Sequence, residues 1–298
     1  GDMVSTEMVF YFDGWMPAKA QPEVEALLKE YEFYYNIEEP DPDDESVPVL
    51  LQNNSIVTPF EAVTGMYSLP GRHDIDPTAI LAPFYFLFFG LMLSDAAYGL
   101  ILTTLCAIIL KMFMFCGLST FMWGALFGGW FGNFFTVAAK TFFGKEFVIK
   151  PLWFDPLSEP MRLLVVSLIL GAVHLFVGMG VQAYMDIKDG RPLDALFDIG
   201  LWYLLLIGIV LFAFGGKLGA GAVGIGKIMA IIGAVGILLT GGRKKKGIFG
   251  KLTGGLGSLY GITSYLSDVL SYSRLLALGL ATGVVAQVFN TLGSLAGG

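Results

Sequence analysis

Arg274 stands in Ser271-Tyr272-Ser273-Arg274-Leu275, and the apolar run around it continues through Val284, Val285, Val288 and Phe289 with no further charge to the end of the chain. An ionised side chain at the centre of a bilayer costs at least ~3 kcal/mol, and a guanidinium cannot escape by losing its proton. A helix beginning near Gly257 would place Arg274 roughly 25 Å along its axis, too deep for an upright helix to let it snorkel to the surface. The residue therefore needs a partner or a water-filled cavity, and is a functional candidate on that ground. Asp268 lies about 120° from it around the helix, so the two do not form an i,i+4 pair. Ser267, Ser271, Arg274, Leu278, Ala281 and Val285 share one face, with small polar residues before the arginine and apolar ones after it. That face suits close contact with another helix.

Two other polar residues interrupt apolar runs. His174, in Gly171-Ala172-Val173-His174-Leu175-Phe176, reads either as a proton relay or as a buried histidine bonded to a neighbouring helix. Asp95, after Ser94 in the middle of a long apolar run, reads as a relay or as a hinge at a turn. The spacing of Gly124, Gly128 and Gly132 predicts a close helix–helix face.

Other chemistries fail on residue type or context. Gly221 to Lys227 approaches a phosphate-binding loop, but Ile228 stands where Ser or Thr would bind magnesium, and no strand precedes it. His73 and His174 are far apart, with no carboxylate cluster to make a zinc site. Cys106 and Cys116 lie in or beside apolar runs and read as small hydrophobes. No hydrolase, redox or dinucleotide constellation is present, no cofactor is expected, and nothing in the charge pattern suggests nucleic acid.

The elements that position these residues follow from composition. Of 298 residues, 55% are hydrophobic and 14% are charged, against ~25% charged in soluble domains. Residues 1–80 hold 16 of the 25 acidic residues but only three bases, so the acidity belongs to a soluble head. In that head Met8–Phe12 reads as a strand, Asp13–Pro17 as a turn, and 21–35 as a helix with Val24, Leu27, Leu28 and Tyr31 on one face. Residues 1–37 form this α/β piece, 38–78 an acidic linker and pre-membrane segment, and 79–298 a membrane domain. Asp76-Pro77-Thr78 suits a helix start. With neither an initiator Met nor a signal peptide, the chain reads as part of a longer protein.

The expected fold class is an all-α polytopic membrane protein with helices near 79–93, 95–112, 116–139, 161–185, 194–214, 219–240 and 258–292. The first apolar run, 79–115, would be ~55 Å long as one helix, against a hydrocarbon core of ~30 Å, so two short helices hinged at Ser94-Asp95 are expected. The last helix is too long to stand upright, so steep tilt or emergence is expected. With a cytoplasmic head, the hairpin puts Lys188, Arg191 and the cluster Arg243 to Lys246 inside, as the positive-inside rule asks. A single crossing with an external head satisfies the same charges.

Four stretches together resemble the a/I subunit of V/A-type rotary ATPases, specifically the prokaryotic subunit I. They are Pro59-Phe60-Glu61 to Pro70, Asp76-Pro77-Thr78 through Pro83-Phe84-Tyr85 to Gly99, Ser167 through His174 to Trp202, and Ser271-Tyr272-Ser273-Arg274-Leu275. They run in the family's order over nearly the whole chain. The resemblance implies a membrane domain of eight helices beside a rotating ring of proteolipid c/K subunits, with two aqueous half-channels meeting at the ring carboxylates. It maps the family's essential arginine onto Arg274. It implies peripheral stalk subunits on the head, a central-stalk-side subunit on the ring, and a prokaryotic plasma membrane with the head cytoplasmic, which favours the hairpin.

On this resemblance Asp268, Ser271, His174, Gln182, Gln287 and Asp95 become candidates for half-channel lining. Two departures stand out. The family continues into one more long helix bearing a second arginine, whereas this sequence stops at Gly298. Eukaryotic relatives also carry a histidine eight residues past the arginine, where Thr282 stands here. The expected role is ion-translocating stator subunit, without catalysis of its own. A stand-alone secondary transporter with an anion site at Arg274 and a purely structural anchor are the alternatives. Against the transporter, no convincing internal repeat is present.

Overall fold

The computed structural model describes residues 3–5, 10–31, 33–41, 44, 46–72, 74–107, 110–145, 147–217, 219–243 and 248–296. Met8, Val9, His73 and Lys244 to Lys246, all used above, lie outside them, as do Pro42, Asp43 and Glu45 of the acidic run. The chain divides into two units, Gly1–Ala82 and Pro83–Gly298.

In the first unit, β1 (Met3–Ser5) pairs antiparallel with β2 (Phe10–Phe12), Met3 opposite Phe12. Helix α1 covers Gln21–Glu30, shorter than the expected 21–35. It buries no residue, and Leu27 and Tyr31 of its apolar face stay exposed, so no packing carries the helix into the aromatic run Phe33-Tyr34-Tyr35. Helix α2 covers Glu61–Tyr67. The buried hydroxyls of Thr64 and Thr78 lie 2.8 Å apart. Asp76 accepts from the Thr78 N–H (2.9 Å) and the Asn53 amide (2.5 Å), capping α3 (Thr78–Leu93) as its sequence suggested. Burial pushes the Asp76 carboxyl up, but the hydrogen bonds from Thr78 and Asn53 outweigh it and hold the group below the ordinary carboxylate value.

The second unit is helical, and its apolar helices mark the chain as a membrane protein. The remainder of α3 is followed by α4 (Ala96–Cys106) and α5 (Lys111–Phe127). The break at Ser94-Asp95 is present: Ser94 has φ 36° and Asp95 is the N-cap of α4. Gly90 and Gly99, on either side of it, both abut the middle of α5, at Ser119 and at Gly117 with Phe121. The chain therefore reverses at Ser94-Asp95, as the hairpin reading required. Helix α4 ends at Cys106 rather than 112, and Lys111 is the first residue of α5 rather than part of a break.

The expected single helix 116–139 is instead two, α5 and α6 (Phe134–Phe143). Gly128 (φ 76°), Phe131 (φ 52°) and Gly132 (φ 65°) occupy left-handed backbone between them, which ends a right-handed helix. Of the three spaced glycines, Gly124 lies in a helix and meets α4 at Ala96, while Gly128 and Gly132 belong to the connecting loop.

Among the described residues, four apolar helical stretches are long enough to cross a membrane: α7 (Pro160–Lys188), α8 (Pro192–Phe214), α9 (Ala220–Thr240), and the 43-residue stretch Thr253–Leu295. The near-match to a phosphate loop lies inside α9, with none of the strand–loop–helix context such a site needs. The expected single helix 258–292 is three: α10 (Ile248–Tyr260), α11 (Ile262–Ser271) and α12 (Ser273–Ala296). A straight helix over the 43 residues Thr253–Leu295 would be ~65 Å, about twice the hydrocarbon core. Two breaks absorb the excess, at Gly261 and at Tyr272. Ser271 bonds its hydroxyl to the Ser267 carbonyl (2.9 Å) just before the second break, a bond that bends helices.

Among the described residues, two apolar cores hold this unit. One joins Leu91, Phe127, Phe154, Leu163 and Leu275. The other joins Met179, Ile199, Trp202, Leu205 and Ile237.

Candidate functional site

Arg274 is the second residue of α12, just past the break at Tyr272 and near the middle of the apolar stretch Thr253–Leu295. Tyr272 closes α11 with its N–H donating to Val269 O (3.1 Å), and its own carbonyl accepts from Leu275 N–H (3.0 Å). These three-residue bonds tighten the chain where it changes helix. Leu275 turns inward and is 6% exposed, in the first core. Arg274 turns outward and is exposed.

The face foreseen for close helix contact is uncovered along its whole length. Ser267, Ser271, Arg274, Leu278, Ala281 and Val285 are all exposed. Asp268 is also exposed on α11, with no ion pair to Arg274. Among the described residues Arg274 has no hydrogen-bond or ion-pair partner.

Asp95 is placed differently. It is 4% exposed, and its carboxylate accepts four backbone N–H groups: Ala97 (3.0 Å), Tyr98 (3.2 Å), Phe131 (3.0 Å) and Gly132 (2.8 Å). The first two are free donors at the start of α4, and the other two belong to the left-handed loop. One side chain thus fastens the α3–α4 reversal to the α5–α6 break.

Beside that knot lies a cleft of about 220 Å³, in which Asp95, Asn133, Thr136, Asp155, Thr282 and Gln287 interrupt a lining that is otherwise largely apolar. It brings Asp95 and Gln287 together although they are far apart in sequence. Thr282, eight residues past Arg274, also bonds the Met92 carbonyl (3.3 Å). Asn290, two turns further, bonds Phe131 O (2.8 Å) and Asn133 Oδ1 (3.0 Å), so α12 is tied to the same loop.

His174 does not reach this cleft. Its Nδ1 lies 2.6 Å from the Tyr272 hydroxyl, and its ring stacks on Phe84 with centroids 4.3 Å apart. Gln182, two turns further along α7, is exposed. The candidates therefore fall in four places: the outer face of α11–α12, the cleft, the α7 contact of His174 behind the break, and the exposed position of Gln182 further along α7.

Sequence reasoning passed over Asn133, Asp155 and Thr282 as cleft residues. It also treated Arg243 only as one of a group of loop charges. Arg243 bonds Asp194 (2.5 Å) and Asp198 (2.8 Å) and lies over the Phe197 ring at 5.4 Å, closing one end of the α8–α9 pair. Asp194 and Asp198, one helical turn apart, were the available signal.

No family model matches the chain. It is similar to the A-type ATP synthase subunit I of Methanocaldococcus jannaschii, at 32% identity over 98% of this chain and 47% of the relative. It is also similar to the A-type ATP synthase subunit I of Thermococcus kodakarensis, at 34% identity over 97% of this chain and 45% of the relative. The V-type ATP synthase subunit I of Chlamydia trachomatis is 24% identical over 94% of this chain and 52% of its own length. The chain spans about half the length of these relatives. The chain belongs to the subunit I family of A-type and V-type ATP synthases.

Proposed function

We propose that this chain supplies the stationary membrane path of an A/V-type rotary ATP synthase, with the outer face of α11–α12 against a ring of carboxylate-bearing proteolipid subunits. One observation carries the reading. Arg274 is a permanent cation near the middle of an apolar stretch, exposed on a small-residue face, with no anionic partner among the described residues. An intramembrane arginine needs such a partner, and a mobile ring carboxylate has the right charge.

The chemistry follows from the guanidinium. An opposite charge a few ångströms from a carboxylate favours its ionised form, so a loaded ring site arriving at Arg274 releases its ion. The fixed charge also bars a bound cation from slipping past, which keeps the two access paths separate. Lysine would serve poorly, because an ammonium in a desolvated site can surrender its proton.

The cleft lined by Asp95, Asn133, Asp155, Thr282 and Gln287 serves as one access path, since it puts polar groups beside α12 within the apolar helical unit. Asp268 and Ser271 lie on the other side of Arg274 along the same helices and belong with the second path. The N-terminal unit joins peripheral stalk subunits on the cytoplasmic side of a prokaryotic plasma membrane. The chain hydrolyses nothing itself; ATP chemistry belongs to other subunits.

Arg274→Ala in the intact complex tests the reading. ATP-driven ion uptake into vesicles is expected to vanish while the assembled complex is recovered in normal amount. Normal uptake would remove Arg274 from the mechanism.

A further inference from the structure

We infer that His174 and Tyr272 form an interhelical latch whose work is to aim Arg274, making them positioning residues for the proposed ion path. This inference rests on the role proposed for Arg274. Tyr272 is the residue at which α11 gives way to α12, so the local backbone lacks the regular ladder that stiffens a helix. A long flexible side chain two residues beyond such a break has no defined direction unless something fixes the break itself.

The structure holds Tyr272 from three sides. Its hydroxyl lies 2.6 Å from His174 Nδ1 on α7. Its ring lies against Gly171, one turn earlier on α7, where a Cβ would collide with the tyrosine ring. Phe88 of α3 closes the third side, with ring centroids 5.4 Å from Tyr272 and 5.4 Å from His174. His174 is itself seated by Phe84. Residues two apart on a helix point about 200° from one another. Pinning Tyr272 inward on α7 therefore turns Arg274 outward, where it is found.

A latch and a proton relay at His174 make different demands. A relay needs a group that takes up and gives off a proton. A latch needs only a polar atom where Nδ1 sits. Asparagine places an amide near that position and does not titrate. His174→Phe keeps an aromatic ring on Phe84 but removes the bond, and Tyr272→Phe removes the hydroxyl while still filling the space against Gly171.

The experiment measures ions moved per ATP hydrolysed by the intact complex in vesicles, normalised to assembled complex. Tyr272→Phe and His174→Phe are each expected to lower this ratio about threefold, the worth of one interhelical hydrogen bond in a membrane protein. The double variant should fall no further than either single one, and His174→Asn should recover the ratio. Normal coupling in Tyr272→Phe overturns the latch, as does a loss matched by lost assembly. Failure of His174→Asn to recover overturns it in favour of a titrating histidine. Arg274→Ala, measured alongside, separates the two ideas. If it is inactive while Tyr272→Phe couples normally, only the latch fails. If it pumps normally, the role of Arg274 fails and the latch with it.

Discussion

Asp95 accepts hydrogen bonds from four backbone N–H groups, whereas Arg274 has no partner among the described residues, although both interrupt long apolar runs. A buried carboxylate is tolerable when charge-assisted bonds replace its water, each contributing about 1.5–3 kcal/mol. Asp95 thereby binds two breaks in the helical path to each other. Asp95→Ala would leave buried N–H donors unsatisfied at both, and should destabilise the detergent-solubilised protein by about 3 kcal/mol or more. Asp95→Asn, which keeps one acceptor oxygen but presents an amide to the other donors, should fall between. Thermal unfolding of the three proteins side by side checks the order. Equal stability of Asp95→Ala and the parent would mean that the clamp does not bear on the fold.

At the scale of elements, the breaks are what put polar groups within the membrane domain. A continuous helix over 116–139 would have carried Gly128 and Gly132 along one apolar wall. Instead their left-handed backbone turns the loop 128–133 toward α12, where Gly132 lies against Ala286 and Asn133 meets Asn290. Gly128→Val should lower stability by about 1–2 kcal/mol from backbone conformation alone, and by more because its side chain would press on Pro151. Gly144 also has a positive φ, 64°, but open space around it. Gly144→Val should therefore show only the conformational part. Unfolding midpoints that fall equally for both would show that contact with Pro151 contributes nothing.

At the scale of the molecule, α12 is packed on one side and bare on the other. Leu275, Gly279 and Ala286 are buried, while Leu278, Val284, Val285, Val288 and Phe289 are exposed. Lipid alone would accept those apolar side chains, but it would not accept the arginine that leads the same face. Cysteines at Leu278 and Ala281 are therefore expected to crosslink to a ring helix in isolated membranes and to stall ATP-driven rotation. A cysteine at Leu275, which faces the core, should not. Crosslinking from Leu275 rather than Leu278 would reverse the orientation proposed for α12.

Much of this was legible in the sequence because its cause is local. Hydropathy over a run of residues sets membrane residence, so the helices near 161–185, 194–214 and 219–240 were found close to their observed bounds. A carboxylate after a serine at the centre of a run too long for the bilayer marked the reversal at Asp95, and the absence of charge beyond Arg274 marked its depth. What tertiary structure alone decided has non-local causes. The backbone turns left-handed at Gly128 and Gly132, yet glycines spaced by four suit a helix face as well as a loop. The long final segment breaks at Gly261 and Tyr272, and at Tyr272 the break rests against His174 and Gly171 of another helix, contacts to which hydropathy is blind. His174 finds Tyr272 98 residues away, and Asp95 comes to share a cleft with Gln287, because a buried polar group takes whichever partner the packing brings within bonding distance.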